Sequence, residues 1–252
     1  MKQTLTFFTA GLLMLMAYTV KAQDSNDSDD ETKVRKLRSY VSLSMGVSYA
    51  LGDFAKADYS NNKSGFANRG VTYQIDGAVY VYKHFGVGFT LSHQDQSNFS
   101  YDDDLILSQG YTTDFKADNG TVTADKRYRS YNFLLGPQYT FTWRRLAFDL
   151  RASAGAIKSR TSPQLTIAVT GVSAQSGSIV QQSATGFAFA YGGSAAIRFD
   201  MGAGWGLSLK GNYVKSDGYN VTTTGRTLNV GRLVTKQPIT EGQIVFGLTK
   251  AF

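Results

Sequence analysis

Residues 242–252 read GQIVFGLTKAF, and this stretch decides the fold. Every second position carries a large or long side chain: Ile244, Phe246, Leu248, Lys250 and Phe252. Small or polar residues, with one valine, fill the positions between. Successive side chains on a strand point to opposite faces, so this alternation predicts a strand with two different faces. No further element follows it in the sequence. We therefore expect its free edge to pair with the first strand and close a barrel, whose apolar face looks either inward at a core or outward at lipid.

The composition narrows the class of protein. The 252 residues include 26 Gly, 15 Tyr and 16 Phe, enough for one large all-β domain. A mean hydropathy of −0.22 argues against a helical membrane protein. The absence of cysteine excludes disulfides, thiolate metal sites and a lipoprotein anchor. The net charge of +7 is scattered, without a nucleic-acid-binding signature, so lipid phosphates suit it better than nucleic acid.

Residues 1–22 have the pattern of a secretory signal peptide. Lys2 supplies the positive start, an apolar run extends from Leu5 to Val20, and Ala22 fits a small-residue cleavage site before Gln23. The alternative is an uncleaved membrane helix, but threonines interrupt the run and its length is marginal for a span. The chain is therefore expected to leave the cytoplasm.

Residues 23–38 are polar throughout, first acidic and then basic, and contain no aromatic residue. With so little to bury, they are predicted to form a disordered periplasmic segment. The alternative is an acidic cluster that recruits a periplasmic partner. The remaining residues, 39–252, are assigned to the barrel.

Eight strand-like runs follow Tyr40. They alternate with period 2 over residues 41–51, 71–81, 85–92, 131–141, 146–155, 187–199, 205–213 and 242–252. One face is aliphatic and aromatic, whereas the other is mostly Gly, Ala, Ser, Thr, Asn and Gln. A soluble sandwich or lipocalin would place large apolar residues inside. The small polar face cannot form an apolar core but can fill a narrow polar interior, so the apolar face is predicted to meet lipid.

The connections and the aromatic residues support a transmembrane barrel. Short turns, near residues 83–84, 142–145 and 200–204, alternate with long connections at 52–70, 95–128, 158–184 and 216–241. Short turns on one side and long loops on the other are the usual asymmetry of such barrels. Aromatic residues are predicted to form a girdle at each end. The loop-end girdle has Tyr49, Tyr73, Tyr131, Phe187 and Tyr213, and the turn-end girdle has Phe85, Phe141, Trp143, Phe199, Trp205 and Phe252.

Together these features resemble the small OmpA/OmpX-type outer-membrane barrels. The runs YRSYNFLLGPQYTF (128–141) and FAYGGSAAIRF (189–199) are similar to the barrel-only "outer membrane protein β-barrel domain" family, common in Bacteroidetes-like bacteria. The resemblance covers about residues 39–252. It implies an eight-stranded antiparallel up-and-down transmembrane β-barrel in the outer membrane, without an OmpA-like peptidoglycan-binding domain.

The same resemblance implies an assembly signal in the last strand. Ile244, Phe246, Leu248 and Phe252 match the C-terminal pattern that the barrel-assembly machinery reads in related proteins. Lys250 departs from the pattern, because an aromatic residue is usual at its position. Its long amine is expected to reach the headgroups from an outward position near the periplasmic interface.

Five charged residues fall on the predicted interior face: Asp76, Asp149, Arg151, Arg198 and Lys210. Unpaired burial would be costly, so we predict an internal network of ion pairs and hydrogen bonds. An eight-stranded barrel is just wide enough to be filled by its own side chains, which favours a sealed polar plug. The alternative is a gate or a narrow ion path.

An enzyme is the less favoured class. Small outer-membrane barrels can act as lipid-modifying enzymes or proteases, but each needs a positioned base, and only His84 and His93 are available. No P-loop, HExxH, GxSxG or EF-hand pattern is present, and residues 102–104 (Asp-Asp-Asp) are interpreted as a solvated turn. We assign no catalytic residue, cofactor or metal ligand.

Basic or titratable residues follow the loop-end girdle on five strands: Arg69, His93, Arg129, Lys158 and Lys215. A belt at this level would meet the phosphates of lipopolysaccharide. The alternative is that strand ends are simply polar and often basic.

The long loops are expected to continue as β-ribbons above the membrane. The second contains a hairpin signal at Asp118-Asn119-Gly120, the third alternates at 165–169 before Ser176, and the fourth carries Val221, Leu228 and Val230. Exposed ribbon edges can bind a surface or host protein by strand addition. We therefore expect a structural or surface-interaction role (envelope integrity, adhesion or recognition), with a small-solute channel and a lipid-modifying enzyme as the alternatives.

Overall fold

The computed structural model describes residues 37–171, 177–224 and 231–252. Arg38–Ala251 form one compact unit. The predicted signal peptide, and all of the predicted disordered segment except Leu37 and Arg38, lie outside the described residues, as do Ser176, Leu228 and Val230. The predictions for those residues therefore stay predictions.

The described elements are, in chain order, twelve strands, a short 3-10 helix and one α-helix. Their bounds are β1 (Tyr40–Ala50), the 3-10 helix (Gly52–Phe54), β2 (Gly70–Tyr82), β3 (Phe85–Gln96), α1 (Tyr101–Phe115), β4 (Asn119–Asp125), β5 (Arg129–Trp143), β6 (Leu146–Thr161), β7 (Gln164–Thr170), β8 (Gly177–Gln181), β9 (Gly186–Gly202), β10 (Trp205–Asn220), β11 (Thr223–Thr224) and β12 (Lys236–Ala251). In these residues no helix is both long and apolar enough to cross a bilayer.

Eight of these strands close an antiparallel barrel in the order β1-β12-β10-β9-β6-β5-β3-β2. The closure is the pairing expected from the last strand, because β12 pairs with β1 from Tyr40 opposite Ala251 to Ala50 opposite Glu241. The barrel strands are 11 to 17 residues long, whereas about 9–11 residues suffice for a transmembrane strand. The predicted fold class is confirmed.

The two faces of the barrel strands point as the alternation predicts. Outward apolar side chains are widely exposed, including Leu43 (68%) and Phe246 (56%), and inward ones such as Ser44 and Gln138 are buried. An apolar exterior around a polar interior is the reverse of a soluble barrel, so the exterior requires an apolar solvent.

The two ends of the barrel differ. At one end, which we call the turn end, two-residue connections join β2 to β3, β5 to β6 and β9 to β10. At the other, the loop end, the connections contain α1 and a sheet of β11-β8-β7-β4. We call α1 and this sheet the loop-end layer. It has its own apolar core: Phe66, Leu107, Tyr111, Phe115, Leu165, Ile167, Val169 and Ile179.

Three predictions about the loops are wrong. Asp102–Asp104 do not form a solvated turn but the first turn of α1, where the Ser100 hydroxyl accepts a hydrogen bond from the Asp103 amide at 3.2 Å and Asp103 is buried. Asn119-Gly120 is not a hairpin turn, because β4 begins there after α1 ends. The ribbons do not stand with free edges throughout, because their strands join into the four-stranded sheet. The third error concerns contacts that loops make with one another.

Candidate functional site

The lumen of the barrel holds a buried charge network near the turn end. Asp76, which is 3% exposed, lies 2.7 Å from Arg151 Nη1 and 2.5 Å from Lys210 Nζ through its Oδ2 atom. The Thr90 hydroxyl donates to the same carboxylate at 2.7 Å. Strands β2, β3, β6 and β10 therefore meet across the lumen at one carboxylate.

A second carboxylate organises the other half of the network. Asp149 Oδ2 accepts a hydrogen bond from Arg198 Nε at 2.6 Å, and Thr140 donates to Asp149 Oδ1 at 2.6 Å. Arg198 also donates to the Tyr80 hydroxyl at 2.9 Å and lies 3.7 Å from the centre of the Tyr40 ring. The Arg198 guanidinium thus contacts a carboxylate, a phenol oxygen and an aromatic ring.

Gln138 joins the two halves. Its Oε1 atom accepts from Arg151 Nη2 at 2.6 Å, and its Nε2 atom donates to the Tyr80 hydroxyl at 3.1 Å. Gly88 provides the space for Arg151, since a Cβ at that position would lie 2.1 Å from the Arg151 Nε atom. The structure therefore brings the five predicted interior residues into one lumen network. The sequence analysis missed Tyr40, Tyr80 and Gln138, although the inward register of Tyr80 and Gln138 was a usable signal.

The loop end of the lumen is closed by apolar side chains. The Phe54 and Tyr128 rings meet edge to face at 4.9 Å, and both belong to a buried cluster with Leu134, Ile157, Val214 and Ile239, among others. We call this the plug cluster. Phe54 comes from the first loop and Tyr128 from the residue before β5, so the cluster combines loop residues with inward positions of the strands. Sequence alternation alone did not predict it.

Three residues of the predicted basic belt, His93, Arg129 and Lys158, lie on the neighbouring strands β3, β5 and β6. His93, Tyr131, Lys158 and Phe187 are cross-strand neighbours on β3, β5, β6 and β9. The Lys158 amine lies 5.2 Å from the centre of the Phe187 ring, and the His93 and Tyr131 rings are 4.7 Å apart. Two residues further along the same strands, Arg129 Nε lies 3.2 Å from Asp95 Oδ2.

Two further basic residues, which the sequence analysis did not select, lie in the same region of the barrel surface. Arg127 Nε lies 2.7 Å from Asp95 Oδ1, and Arg160 Nη1 lies 3.5 Å from the Tyr131 hydroxyl. An irregularity in the β5–β6 pairing, between Arg129 and Ser130, falls at Arg160. Lys215 lies on β10, opposite Tyr191 rather than Phe187, and Arg69 precedes β2. We call the group formed by these five residues the basic rim: His93, Arg127, Arg129, Lys158 and Arg160.

The two histidines lie apart from each other, and Nδ1 of each ring contacts a backbone carbonyl. His93 Nδ1 lies 3.2 Å from the Ser130 carbonyl, and His84 Nδ1 lies 2.8 Å from the Thr140 carbonyl, at opposite ends of the barrel. Ser92, next to His93, faces the lumen, where Gln94 donates to it at 2.7 Å. In the described residues, no group of three or more His, Asp or Glu side chains is placed to hold a metal ion.

Charged and polar side chains also make buried contacts in the loop-end layer. The Arg232 guanidinium lies 5.1 Å from the centre of the Phe66 ring and donates to the Ser64 carbonyl. Burial lowers the pKa of Arg232 from its usual value. The Tyr59 hydroxyl donates to Asp114 at 2.6 Å, and burial together with this bond raises its pKa above the usual range. These contacts fasten the first and fourth loops to each other and to α1.

The closed barrel, its exposed apolar belt and its aromatic ends define a small transmembrane β-barrel of the bacterial outer-membrane type. Aromatic residues lie exposed at the turn ends of their strands, as Phe85, Trp143 and Trp205 do, and at the loop ends, as Tyr49 and Phe187 do. Such girdles mark the two interfaces of a membrane. The predicted class and its outer-membrane location follow from these features.

Comparisons with known proteins give matches among solved structures alone. No protein-family model matches the chain, and no curated protein matches it. Among solved structures, it is similar to Neisserial surface protein A, at 12% identity over 85% of this chain and 97% of that chain, with a TM-score of 0.41.

Two other solved structures are similar at the same level. One is Ail, the attachment invasion locus protein of Yersinia pestis, in complex with the heparin analogue sucrose octasulfate (12% identity, 86% of this chain and 100% of that chain, TM-score 0.40). The other is the outer membrane protease OmpT from Escherichia coli (8% identity, 90% and 100%, TM-score 0.39). These likenesses carry no argument about activity or ligand.

Proposed function

We propose that this protein is a sealed, non-enzymatic outer-membrane barrel that presents its loop-end layer to the cell exterior for structural or recognition roles. The observation that carries the proposal is the filling of the lumen at both levels. Buried ion pairs occupy it near the turn end, and the plug cluster occupies it near the loop end. Such a barrel provides a rigid anchor rather than a path for solutes.

The loop-end layer supplies the surface for recognition. Its helix and sheet share a core, so the loops have a defined shape. An open cleft of about 600 Å³ beside α1 is lined by Tyr59, Gln109, Asp114 and Arg232, among others. Aromatic, amide and charged groups side by side suit a polar ligand or a protein surface.

The sealed lumen is tested by conductance. The wild-type protein in a planar bilayer is expected to give no steady conductance steps. Asp149→Ala is expected to do the same, because removing one carboxylate leaves the plug cluster and most of the lumen network in place. Steady steps in the wild-type protein would contradict the proposal and support a small-solute channel. Steps in Asp149→Ala alone would show that the network is a gate. Asp53→Ala, which removes an exposed carboxylate outside the lumen network, is the matched control.

We propose that the basic rim binds the phosphates of lipopolysaccharide. Four of its residues lie on the neighbouring strands β3, β5 and β6, and Arg127 lies two residues before β5, all at the loop-end girdle. Basic residues near an anionic surface contribute about 1 kcal/mol each. The triple variant Arg129→Gln, Lys158→Gln, Arg160→Gln is therefore expected to bind lipopolysaccharide on the order of 100-fold more weakly.

The control for the basic rim is a charge-matched change at the other end of the barrel. Lys83→Gln, Arg144→Gln, Arg145→Gln removes the same charge from the turn end, and its affinity for lipopolysaccharide is expected to stay near that of the wild-type protein. Equal losses in both triple variants would mean that net charge, and not the basic rim, sets the affinity.

A further inference from the structure

The lipid-facing surface of the barrel has a groove of about 560 Å³ across β9, β10 and β12. Six of its lining residues lie at outward positions of their strands: Tyr49, Gly193, Gly211, Tyr213, Gly242 and Ile244. Tyr213 lies opposite Gly193 on one neighbouring strand and opposite Gly242 on the other. An exposed tyrosine ring therefore stands between two positions without a side chain. The groove is a gap in the apolar exterior of the barrel.

Gly211, which also lines the groove, is not required by the backbone. It does not have a positive φ. Apart from its chain neighbours, a Cβ added there would meet no atom nearer than the Gln243 carbonyl oxygen, at 4.0 Å. Glycine weakens the interior of a strand, because it has no side chain to pack and loses the most conformational freedom on folding. A larger residue would suit the strand, so the effect of the glycine is to keep the groove open.

Lys215 lies at the loop-end mouth of the groove. It follows Tyr213 by two residues on β10, so it shares the outward face, and its strand neighbours are Tyr191 and Thr240. The residue is exposed, and among the described residues it makes no ion pair. Asp217, the nearest acidic residue in the sequence, does not pair with it. A cation without an acidic partner thus lies next to an apolar groove, apart from the basic rim.

We propose that the groove binds one lipopolysaccharide molecule, with an acyl chain in the groove and a phosphate on Lys215. This inference rests on the proposed function, which places the loop end at the cell exterior and therefore in the leaflet that contains lipopolysaccharide. The groove is continuous with the lipid-facing exterior, where the surrounding solvent is hydrocarbon. An acyl chain that enters it gains the dispersion contacts that an empty groove loses. The amine adds a charge-assisted contact with the phosphate.

Native mass spectrometry of the full chain in detergent micelles tests the site, with purified lipid A as the probe. Because the groove has one basic residue and the basic rim has five, the groove is expected to fill at a higher lipid A concentration, as a second bound lipid. Phosphatidylglycerol, an anionic phospholipid, is expected to be retained less at the same concentrations. Equal retention of the two lipids would overturn the assignment to lipopolysaccharide. A dimer of the barrel in place of a second lipid would overturn the lipid site, because the groove would then join two copies of the chain.

Two variants connect the second lipid to the groove. Gly211→Leu fills the groove and is expected to lose the second lipid A while it keeps the first. Ala154→Leu, at an exposed outward position of β6 that does not line the groove, is the matched control and is expected to keep both. Lys215→Gln is expected to weaken the second site about fivefold, whereas Lys250→Gln, at the turn end of β12, is expected to leave it unchanged. A second lipid A bound to Gly211→Leu as tightly as to the wild-type protein would overturn the proposal.

The groove and the basic rim give different spectra. The triple variant Arg129→Gln, Lys158→Gln, Arg160→Gln is expected to lose the first lipid A and to keep the one in the groove. Loss of the second lipid alone in Gly211→Leu supports the groove whatever the triple variant does. The sealed lumen is tested separately by conductance. The wild-type comparison of the two lipids needs no variant, so it stands even where a variant fails to fold.

Discussion

Asp76→Ala is expected to lower the free energy of unfolding by about 3–5 kcal/mol, the usual cost of removing one partner from a buried ion pair. The substitution leaves both Arg151 and Lys210 in the lumen without their shared carboxylate. Urea titration of the barrel in lipid vesicles measures the change. The fluorescence of Trp143 and Trp205 at the turn-end girdle reports the unfolding of the barrel.

Two further variants make this result specific. Asp53→Ala removes a carboxylate whose pair with Lys56, at 3.2 Å, is exposed, so no comparable loss is expected. Asp76→Ala combined with Lys210→Met removes one of the two orphaned cations, and the double variant is expected to be more stable than Asp76→Ala alone. If Asp76→Ala unfolds at the same urea concentration as Asp53→Ala, the lumen network does not stabilise the barrel.

Leu107→Ala is expected to destabilise the loop-end layer by about 2–5 kcal/mol, the range for a fully buried leucine. Leu107 is a residue of α1 that is 0% exposed, and it packs in the core that α1 shares with the sheet. The barrel strands do not contribute to that core, so the barrel is expected to keep its unfolding midpoint. Hydrogen exchange at the amides of α1 and β7 measures the local loss, and urea titration measures the barrel.

The same helix supplies the control. Leu105→Ala changes the same residue type two positions away, where the side chain is 42% exposed, and is expected to have little effect on exchange. An equal loss of barrel stability in Leu107→Ala would contradict the idea that the loop-end layer is a separate cooperative unit. It would also weaken the proposed role of the barrel as an independent anchor.

The barrel strands are the part of the structure that the sequence predicted best. Alternation in 242–252 and in the other seven runs predicted which side chains face the lumen, because a strand shows its two faces at every second residue. Asp76 and Arg151 were selected on this basis, and the structure brings them within 2.7 Å of each other. A barrel of this width brings inward residues from distant strands together.

The loop-end layer was the hardest part to predict. α1 begins with a capping box between Ser100 and Asp103, a local signal that was available, but its three consecutive aspartates resembled a solvated turn. The core of the layer also depends on Phe66 and Leu165, from two other loops. No local pattern reports a contact between segments about 100 residues apart.

On the barrel surface, the residues of the basic rim were also only partly predicted from the sequence. The sequence analysis extended each strand by one step and obtained a belt that included Lys215. The register of the strand pairs and the irregularity near Arg160 decide which side chains become neighbours, and they place Arg160 near Tyr131 while Lys215 stays apart. Register is a property of strand pairs, so a single strand does not contain it.

The sequence by itself determined the class of the protein, the number of barrel strands, their faces and the charges of the lumen, because period 2 and residue polarity are local properties. Only the tertiary structure decided how the lumen is closed. The plug cluster and the loop-end layer both depend on register and on contacts between segments that are distant in the sequence. β12, the strand that closes the barrel by pairing with β1, also supplies Ile239 to the plug cluster.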